Sequence, residues 1–367
     1  MRLSFIPQSP RVGGCGMRHR NLMADGIRTL ASNARQVSCA QDVISGVWKT
    51  ITAEVDRHYA RGRRIAPGTM RTLYESFDQI VMSNLQIVDC RLRETAATAT
   101  RPKGAAIDVS YVGVMKKEES DGYPDLYELF TLRIVLKSKV VKLHLHPHPI
   151  TFQYHAAERL VERVDGQELP FEMIAAELAD WSLALWEVFR VSESSDDLLL
   201  SLPCMEGKGM LAGRFVDLPM SPIFGTTNNK SGRFSNIMGS RDEKVAHFVV
   251  KTFVGQDRLR PEQVAALNRV SRWRMINKTE YMDARDASLW DVGFYDQGYV
   301  VPEMGDKPRA DLVAILEDPA FKRAMTTRTL EAGGSLARGN DVTRDANRSP
   351  AWVPPMPEMA GIGSRAM

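Results

Sequence analysis

The spacing of apolar residues changes along this chain, and these changes limit which folds it can adopt. Over residues 41–60 the apolar positions recur at intervals of three and four, which predicts an amphipathic helix. A second helix is predicted from Pro67, because proline favours the first helical turn. From residue 85 short segments rich in β-branched residues follow, and these predict strands. Two helices are therefore expected to precede a sheet.

The strand pattern continues to residue 149, after which the helical period returns. The segment Lys137-Ser138-Lys139 is expected to join two strands in an antiparallel hairpin. A loop rich in Gly, Ser and Asn is expected over residues 219–242, and helices near residue 155 and over residues 171–189. The order of elements predicts an α+β fold, with N-terminal helices followed by a largely antiparallel sheet and helices packed on it. Further strands are predicted at residues 197–203, 209–216 and 245–254.

Composition divides the 367 residues into five predicted segments. The first is a basic, flexible leader, and the last is a proline-rich tail that is expected to be disordered. Between them we expect two helices with antiparallel strands, then an α+β binding or catalytic domain, then a helical extension. The predicted boundaries are 1–40, 41–149, 150–280, 281–323 and 324–367.

Charge and cysteine content indicate which cellular compartment and which binding partners to expect. The net charge of +3 is too small to indicate nucleic-acid or membrane binding by itself. No apolar run approaches the ~18 residues of a membrane-spanning helix, so no membrane partner is expected. The four cysteines form no C-x-x-C pair, which favours reduced thiols in a cytoplasmic protein. The sequence also lacks the usual motifs of nucleotide triphosphatases, dinucleotide oxidoreductases, α/β-hydrolases and zincins.

Histidines are concentrated in one short region of the chain. Four of the seven lie between residues 144 and 155. His144, His146 and His148 alternate on a predicted strand, so they could share a face and hold a metal ion, with Glu158 as an oxygen ligand. The alternative is a structural or surface role for all three. No cofactor is expected unless this metal site exists.

His155 opens a helix whose polar residues fall on one side. Residues four and eight positions further on lie on the same helix face, so His155, Arg159 and Arg163 are expected to form one stripe. A histidine can act as general acid or base near neutral pH, and arginines can hold a phosphodiester. The alternative is a surface helix whose arginines pair with Glu158 and Glu162.

This pattern, His-Ala-x-x-Arg-x-x-x-Arg followed by a Val-Val-x-Thr strand, resembles small ribonuclease toxins of the barnase, EndoU, colicin and RelE group. The matching residues lie between residues 150 and 274. The resemblance implies a hydrolase-type site that cleaves RNA without metal, through attack by the RNA 2′-hydroxyl. His155 would be the acid and base, Arg159 and Arg163 would bind phosphate, and Thr252 would donate a hydrogen bond. Lys251 is expected to point away from Thr252.

A second basic segment could contact RNA. Arg272 and Arg274 flank Trp273, and an indole between guanidinium groups can stack on an unpaired base. The alternative is a solvated helix face in which Trp273 covers the core.

Three functions follow from these patterns. The first is an RNA-cleaving or RNA-binding protein of the toxin or effector type, whose partners would be RNA and an inhibitory or adaptor protein. The second is a non-catalytic interaction protein, in which the leader and the tail bind partners. The third is a metal-dependent enzyme that uses His144, His146 and His148.

Overall fold

A computed structural model of the chain has an α+β fold, which confirms the predicted class. The described part of the chain contains seven α-helices of eight or more residues and nine strands. No helix among these residues is both long and apolar enough to cross a membrane. The described residues are 46–47, 49–59, 64–96, 105–117, 123, 125–164, 170–191, 199–204, 208–219, 221, 224–228, 234–238, 244–283 and 305–326.

The helices follow the apolar periods of the sequence. Helix α1 buries Ile51 and Val55, and α2 begins at Pro67 with its apolar side turned to the sheet. Residues 278–283 add a short helical segment after α5. The bounds are α1 Lys49–Tyr59, α2 Pro67–Asn84, α3 Tyr154–Arg163, α4 Pro170–Val191, α5 Pro261–Ile276, α6 Asp306–Glu317 and α7 Pro319–Thr326.

The strands form one sheet in the order β1-β2-β3-β4-β9-β6-β5, with β7 beside β4 and β8 beside β7. Every pair is antiparallel except β4 with β9. The predicted hairpin is confirmed, because β3 and β4 pair antiparallel around Ser138 and Lys139. The bounds are β1 Gln86–Thr95, β2 Ala106–Lys116, β3 Leu126–Lys137, β4 Val141–Gln153, β5 Leu199–Cys204, β6 Gly209–Pro219, β7 Phe224–Asn228, β8 Phe234–Met238 and β9 Lys244–Gly255.

The loop predicted over residues 219–242 is wrong in part. Strands β7 and β8 lie inside it and pair with each other, and β7 also pairs with β4. The composition is rich in Gly, Ser and Asn, which weakens any local strand pattern. Pairing with β4 supplies backbone hydrogen bonds to β7, and the composition of the segment alone cannot indicate this pairing.

Helices cover both faces of the sheet. Helices α1 and α2 pack on one face, in a cluster that includes Tyr111 and Phe130. Helices α3, α4, α5, α6 and α7 contribute to a second cluster, which includes Phe152 and Phe248. Neighbouring residues on β9 alternate between faces, so Phe248 joins the second cluster whereas Val249 packs with Leu126 and Leu218.

Strand β4 crosses the predicted boundary between residues 149 and 150 without interruption. Both predicted units therefore contribute to one sheet. The predicted leader lies outside the described residues, and so does the predicted tail from residue 327 onward. Residues 324–326, assigned to the tail, belong to α7 instead, where Ala324 and Met325 are buried.

At Gly113, strands β1, β2 and β3 pack so closely that a side chain would not fit. A Cβ atom at this position would lie 2.5 Å from the Gln86 carbonyl oxygen and 2.7 Å from Phe130 Cζ. We expect Gly113→Ala to lower the free energy of unfolding by about 1–3 kcal/mol, as overpacking does. Urea titration measures the loss. The control, Gly68→Ala, places its Cβ in open space on α2 and should leave stability unchanged or slightly higher; equal losses in both variants would contradict the packing.

Candidate functional site

Helix α3 presents its polar side to solvent because its apolar side is buried. Ala156, Ala157 and Leu160 enter the second cluster, and the helix lies against β9. This orientation leaves His155 exposed, with 48% of its side chain accessible. The predicted helix and its polar stripe are therefore present, and His155 is turned away from the core.

Two neighbours orient the His155 ring. Its Nδ1 lies 3.2 Å from Glu158 Oε2, and Arg159 Nε donates to its Nε2 at 3.2 Å. A carboxylate accepts hydrogen bonds and a guanidinium donates them, so both contacts are satisfied when Nδ1 carries the proton and Nε2 does not. Glu158 thus selects the tautomer in which Nε2 is the acceptor, and Arg159 occupies that acceptor in this structure.

Three arginines lie on α3 or next to its C-terminal end. Arg159 pairs with Glu162, and Arg163 donates from Nη1 to the Phe253 carbonyl oxygen on β9. Burial, and then the charges of Arg258 and Arg159, lower the pKa of Arg163 below its ordinary value. Arg258 belongs to the short 3-10 turn after β9, so the fold adds a third guanidinium to the predicted stripe. Helical spacing could not indicate this residue.

Thr252 lies at a β-bulge. The pairing of β6 with β9 passes from Gly213–Val250 to Ala212–Thr252, which leaves Lys251 as the extra residue. The regular alternation that sets Lys251 opposite Thr252 is therefore interrupted. The Thr252 hydroxyl donates to the Phe253 carbonyl oxygen at 3.4 Å.

Thr252 lies close to Arg163 of α3, because both side chains donate to the Phe253 carbonyl oxygen. Arg159 is the arginine that contacts His155 directly. The structure thus brings Thr252 to Arg163 and Arg159 to His155.

The predicted base-stacking role of Trp273 is corrected by its burial. Only 3% of Trp273 is exposed, and its indole Nε1 donates to the Pro308 carbonyl oxygen at 2.9 Å. Arg274 lies over the Trp181 ring and pairs with Asp180 at 3.5 Å. Arg272 is exposed on α5. The alternative in which Trp273 covers the core is the one observed, because its side of α5 faces α6.

The three histidines of β4 are buried in a row. The rings of His144 and His146 stack with centroids 6.2 Å apart, and those of His146 and His148 meet edge-on at 5.2 Å. His148 Nε2 lies 2.8 Å from the Thr131 hydroxyl oxygen. Burial lowers the pKa of His144 and of His148 to about 4, and that of His146 well below its ordinary value.

A metal centre at these histidines finds no support in the geometry. Within the described ranges, no three His, Cys, Asp or Glu side chains are arranged so that they could hold one ion. Side chains spaced along one strand face lie beside one another and do not converge on a point. The row instead forms part of the buried interior.

Four segments that are distant in sequence form a buried ionic cluster, which no local sequence pattern indicated. Lys117 Nζ donates to Glu128 Oε1 at 3.2 Å and to Ser221 Oγ at 2.8 Å. His247 Nε2 lies 3.2 Å from the same carboxylate oxygen. Burial alone would raise the pKa of Glu128, but the Lys117 charge and the His247 contact together hold it below its ordinary value.

Comparison of the chain with protein-family models, curated proteins and solved structures gives no match.

Because the pKa values of buried His144 and His148 are lowered, we expect the protein to lose stability in mild acid. Their pKa values are lowered in the fold, so the unfolded chain binds more protons between about pH 4 and its ordinary histidine pKa of about 6.5. The free energy of unfolding should be highest above about pH 6.5 and fall towards about pH 4, by roughly 3 kcal/mol for each of His144 and His148. Urea titrations across this range measure the slope.

His148→Gln keeps a polar partner for Thr131 and should flatten this slope. The control, His58→Gln, changes an exposed histidine of α1 and should leave it unchanged. If His148→Gln and the unaltered chain lose stability equally steeply with falling pH, the His148 ring does not contribute to the pH dependence.

Because Lys117 and Glu128 form a buried ion pair, we expect the losses of unfolding free energy from substituting each of them to be strongly non-additive. Glu128→Gln leaves the Lys117 ammonium without its counter-charge and should lower the free energy of unfolding by about 3–5 kcal/mol. Lys117→Met in the same chain should restore much of that loss, because no charge then remains buried without a partner. Lys116→Met is the control: its ammonium pairs with half-exposed Asp125, and the loss should be about 1 kcal/mol or less. Strictly additive losses would exclude the pairing.

Proposed function

We propose that this chain is a metal-independent endoribonuclease whose reacting group is the His155 imidazole. One observation carries the proposal: an exposed histidine has a partner on each ring nitrogen, one of them the guanidinium of Arg159, and Arg163 and Arg258 add positive charge along the same helix. A general base needs an accessible nitrogen with a fixed tautomer, and phosphodiester cleavage needs cations nearby.

The geometry supports a definite division of roles. When the substrate phosphate draws Arg159 away from His155, the freed Nε2 lone pair accepts the proton of an RNA 2′-hydroxyl, and the resulting alkoxide attacks the adjacent phosphorus. Glu158 stabilises the imidazolium that forms, since it already contacts Nδ1. The 5′-oxygen leaves with a proton from the imidazolium or from water, and a 2′,3′-cyclic phosphate remains.

Arginine roles follow from their present partners. Arg159 contacts His155 Nε2 and Glu162, and both contacts lie at the surface. An exposed ion pair contributes about 0–1 kcal/mol, so a phosphate can replace Glu162 as the partner of this guanidinium at small cost. Arg163 is bound to the sheet and is better suited to provide a fixed positive charge.

The test compares cleavage of total RNA by the full chain and by His155→Ala in the presence of a chelator. The unaltered chain should cleave, and His155→Ala should be slower by about 10²–10⁴-fold, the usual contribution of a general acid or base. Products should end in a 2′,3′-cyclic phosphate. Arg159→Ala should also slow cleavage, while Thr252→Ala should slow it less, because the Thr252 hydroxyl contacts the Phe253 carbonyl oxygen that holds Arg163.

The matched control is His58→Ala, which removes an exposed histidine that also faces a glutamate on its own helix. It should cleave RNA at the rate of the unaltered chain. If His155→Ala and His58→Ala cleave equally fast, a contaminating nuclease explains the activity and the proposal fails. If none of the proteins cleaves RNA, the proposal also fails, and a non-catalytic interaction protein becomes the better explanation.

A further inference from the structure

Two cations and one tyrosine meet on the sheet face opposite α3. The Tyr123 ring has Arg214 Cζ at 5.9 Å and Lys251 Nζ at 5.7 Å from its centroid. Arg214 Nη2 also donates to the Tyr123 hydroxyl. All three residues are partly exposed, so a solute can reach them.

The β-bulge explains why both cations lie here. Arg214 is opposite Val249 on β9, and Lys251 is the extra residue two positions further along. A bulge changes the direction of the side chain at the extra position and increases the local twist. Lys251 therefore reaches the same tyrosine as a residue of the neighbouring strand.

No carboxylate of the described residues forms an ion pair with either cation. Within the described part of the chain, neither Arg214 nor Lys251 forms an ion pair, and Arg214 Nε is buried without a hydrogen-bond acceptor. A buried donor without an acceptor is unfavourable. Burial, and then the Arg214 charge, lower the pKa of Lys251, so the fold holds these two charges together at a cost.

Three other arginines each have a carboxylate partner. Arg133 forms two hydrogen bonds with Asp108, Arg269 pairs with Asp318, and Arg274 pairs with Asp180. Each of these cations has a carboxylate in contact. Arg214 and Lys251 differ because, as far as the described ranges show, both cations contact Tyr123 and neither contacts a carboxylate.

We infer that Arg214, Lys251 and Tyr123 form a binding site for a phosphate group. Two adjacent positive charges match the −1.5 to −2 charge of a phosphate monoester at about pH 7 better than the single charge of a carboxylate. A guanidinium supplies paired donors to phosphate oxygens, and a lysine adds a point charge. The hydroxyl of Tyr123 holds Arg214 in place. This site lies on the face opposite His155 and does not depend on the proposed nuclease activity.

Amine labelling of the full chain measures occupancy directly. An amine-reactive ester modifies unprotonated lysines, and mass spectrometry then gives the labelling rate at each position. With inorganic phosphate as the probe, labelling of Lys251 should slow several-fold and saturate at millimolar concentrations. Labelling of Lys244, an exposed lysine at the start of the same strand, should not change. Chloride at equal ionic strength serves as the reference.

Variants separate a built site from general charge attraction. Arg214→Gln should abolish the protection of Lys251, and phosphate should raise the Tm of the unaltered chain but not that of Lys251→Met. Circular dichroism confirms that each variant folds. The inference is overturned if phosphate slows labelling of Lys251 and Lys244 equally, or if protection persists in Arg214→Gln.

The source of the phosphate group is resolved by two further probes. One is a nucleoside monophosphate, and the other is a short RNA without terminal phosphates. Stronger protection of Lys251 by the monophosphate assigns the site to a phosphomonoester, whereas stronger protection by the RNA assigns it to a nucleic-acid backbone. Failure of both probes and of inorganic phosphate excludes the site and leaves the His155 experiment unaffected.

Discussion

Three residue pairs join two antiparallel halves into a single sheet: Ile150–Phe248, Thr151–Val249 and Phe152–Val250. Strands β1 to β4 form one half, and β9, β6 and β5 form the other. Helix α3 begins directly after β4, so this parallel ladder sets α3 against β9. The same ladder sets the bulge of β9 on the opposite face. Both candidate sites therefore depend on a contact between segments that lie almost a hundred residues apart.

The ionic cluster lies close to this junction and constrains it further. Glu128 pairs in register with Thr151, a member of the parallel ladder, while His247 directly precedes Phe248. A carboxylate buried without Lys117 and His247 would be costly, so the cluster is stable only when β2, β3 and β9 are correctly placed together. Buried charges thus disfavour alternative registers, in which these partners would separate.

Local patterns predicted much of this fold, because they reflect burial within one element. The helices, the β3–β4 hairpin and the exposed position of His155 all follow from spacing along the chain. The parallel ladder, the bulge at Lys251 and the ionic cluster did not follow, since each joins residues that no local period relates. Trp273 shows the ambiguity of composition: flanking arginines are equally typical of an RNA-stacking residue and of a core residue at the edge of a helix.

The polar stripe of α3 is compatible both with a simple surface helix and with the proposed RNA-cleaving site. The free energies of its contacts explain why one role does not exclude the other. Glu158 and Glu162 do pair with His155 and Arg159, as a simple surface helix requires. Such exposed contacts contribute about 0–1 kcal/mol each, whereas hydrogen bonds between charged groups and a phosphate are roughly twice as strong as neutral ones. The contacts are therefore strong enough to orient the ring and the guanidinium in the free protein, yet weak enough to exchange for a substrate. Arg163 differs, because its bond to the Phe253 carbonyl oxygen lies partly within the protein and keeps its charge in place during that exchange.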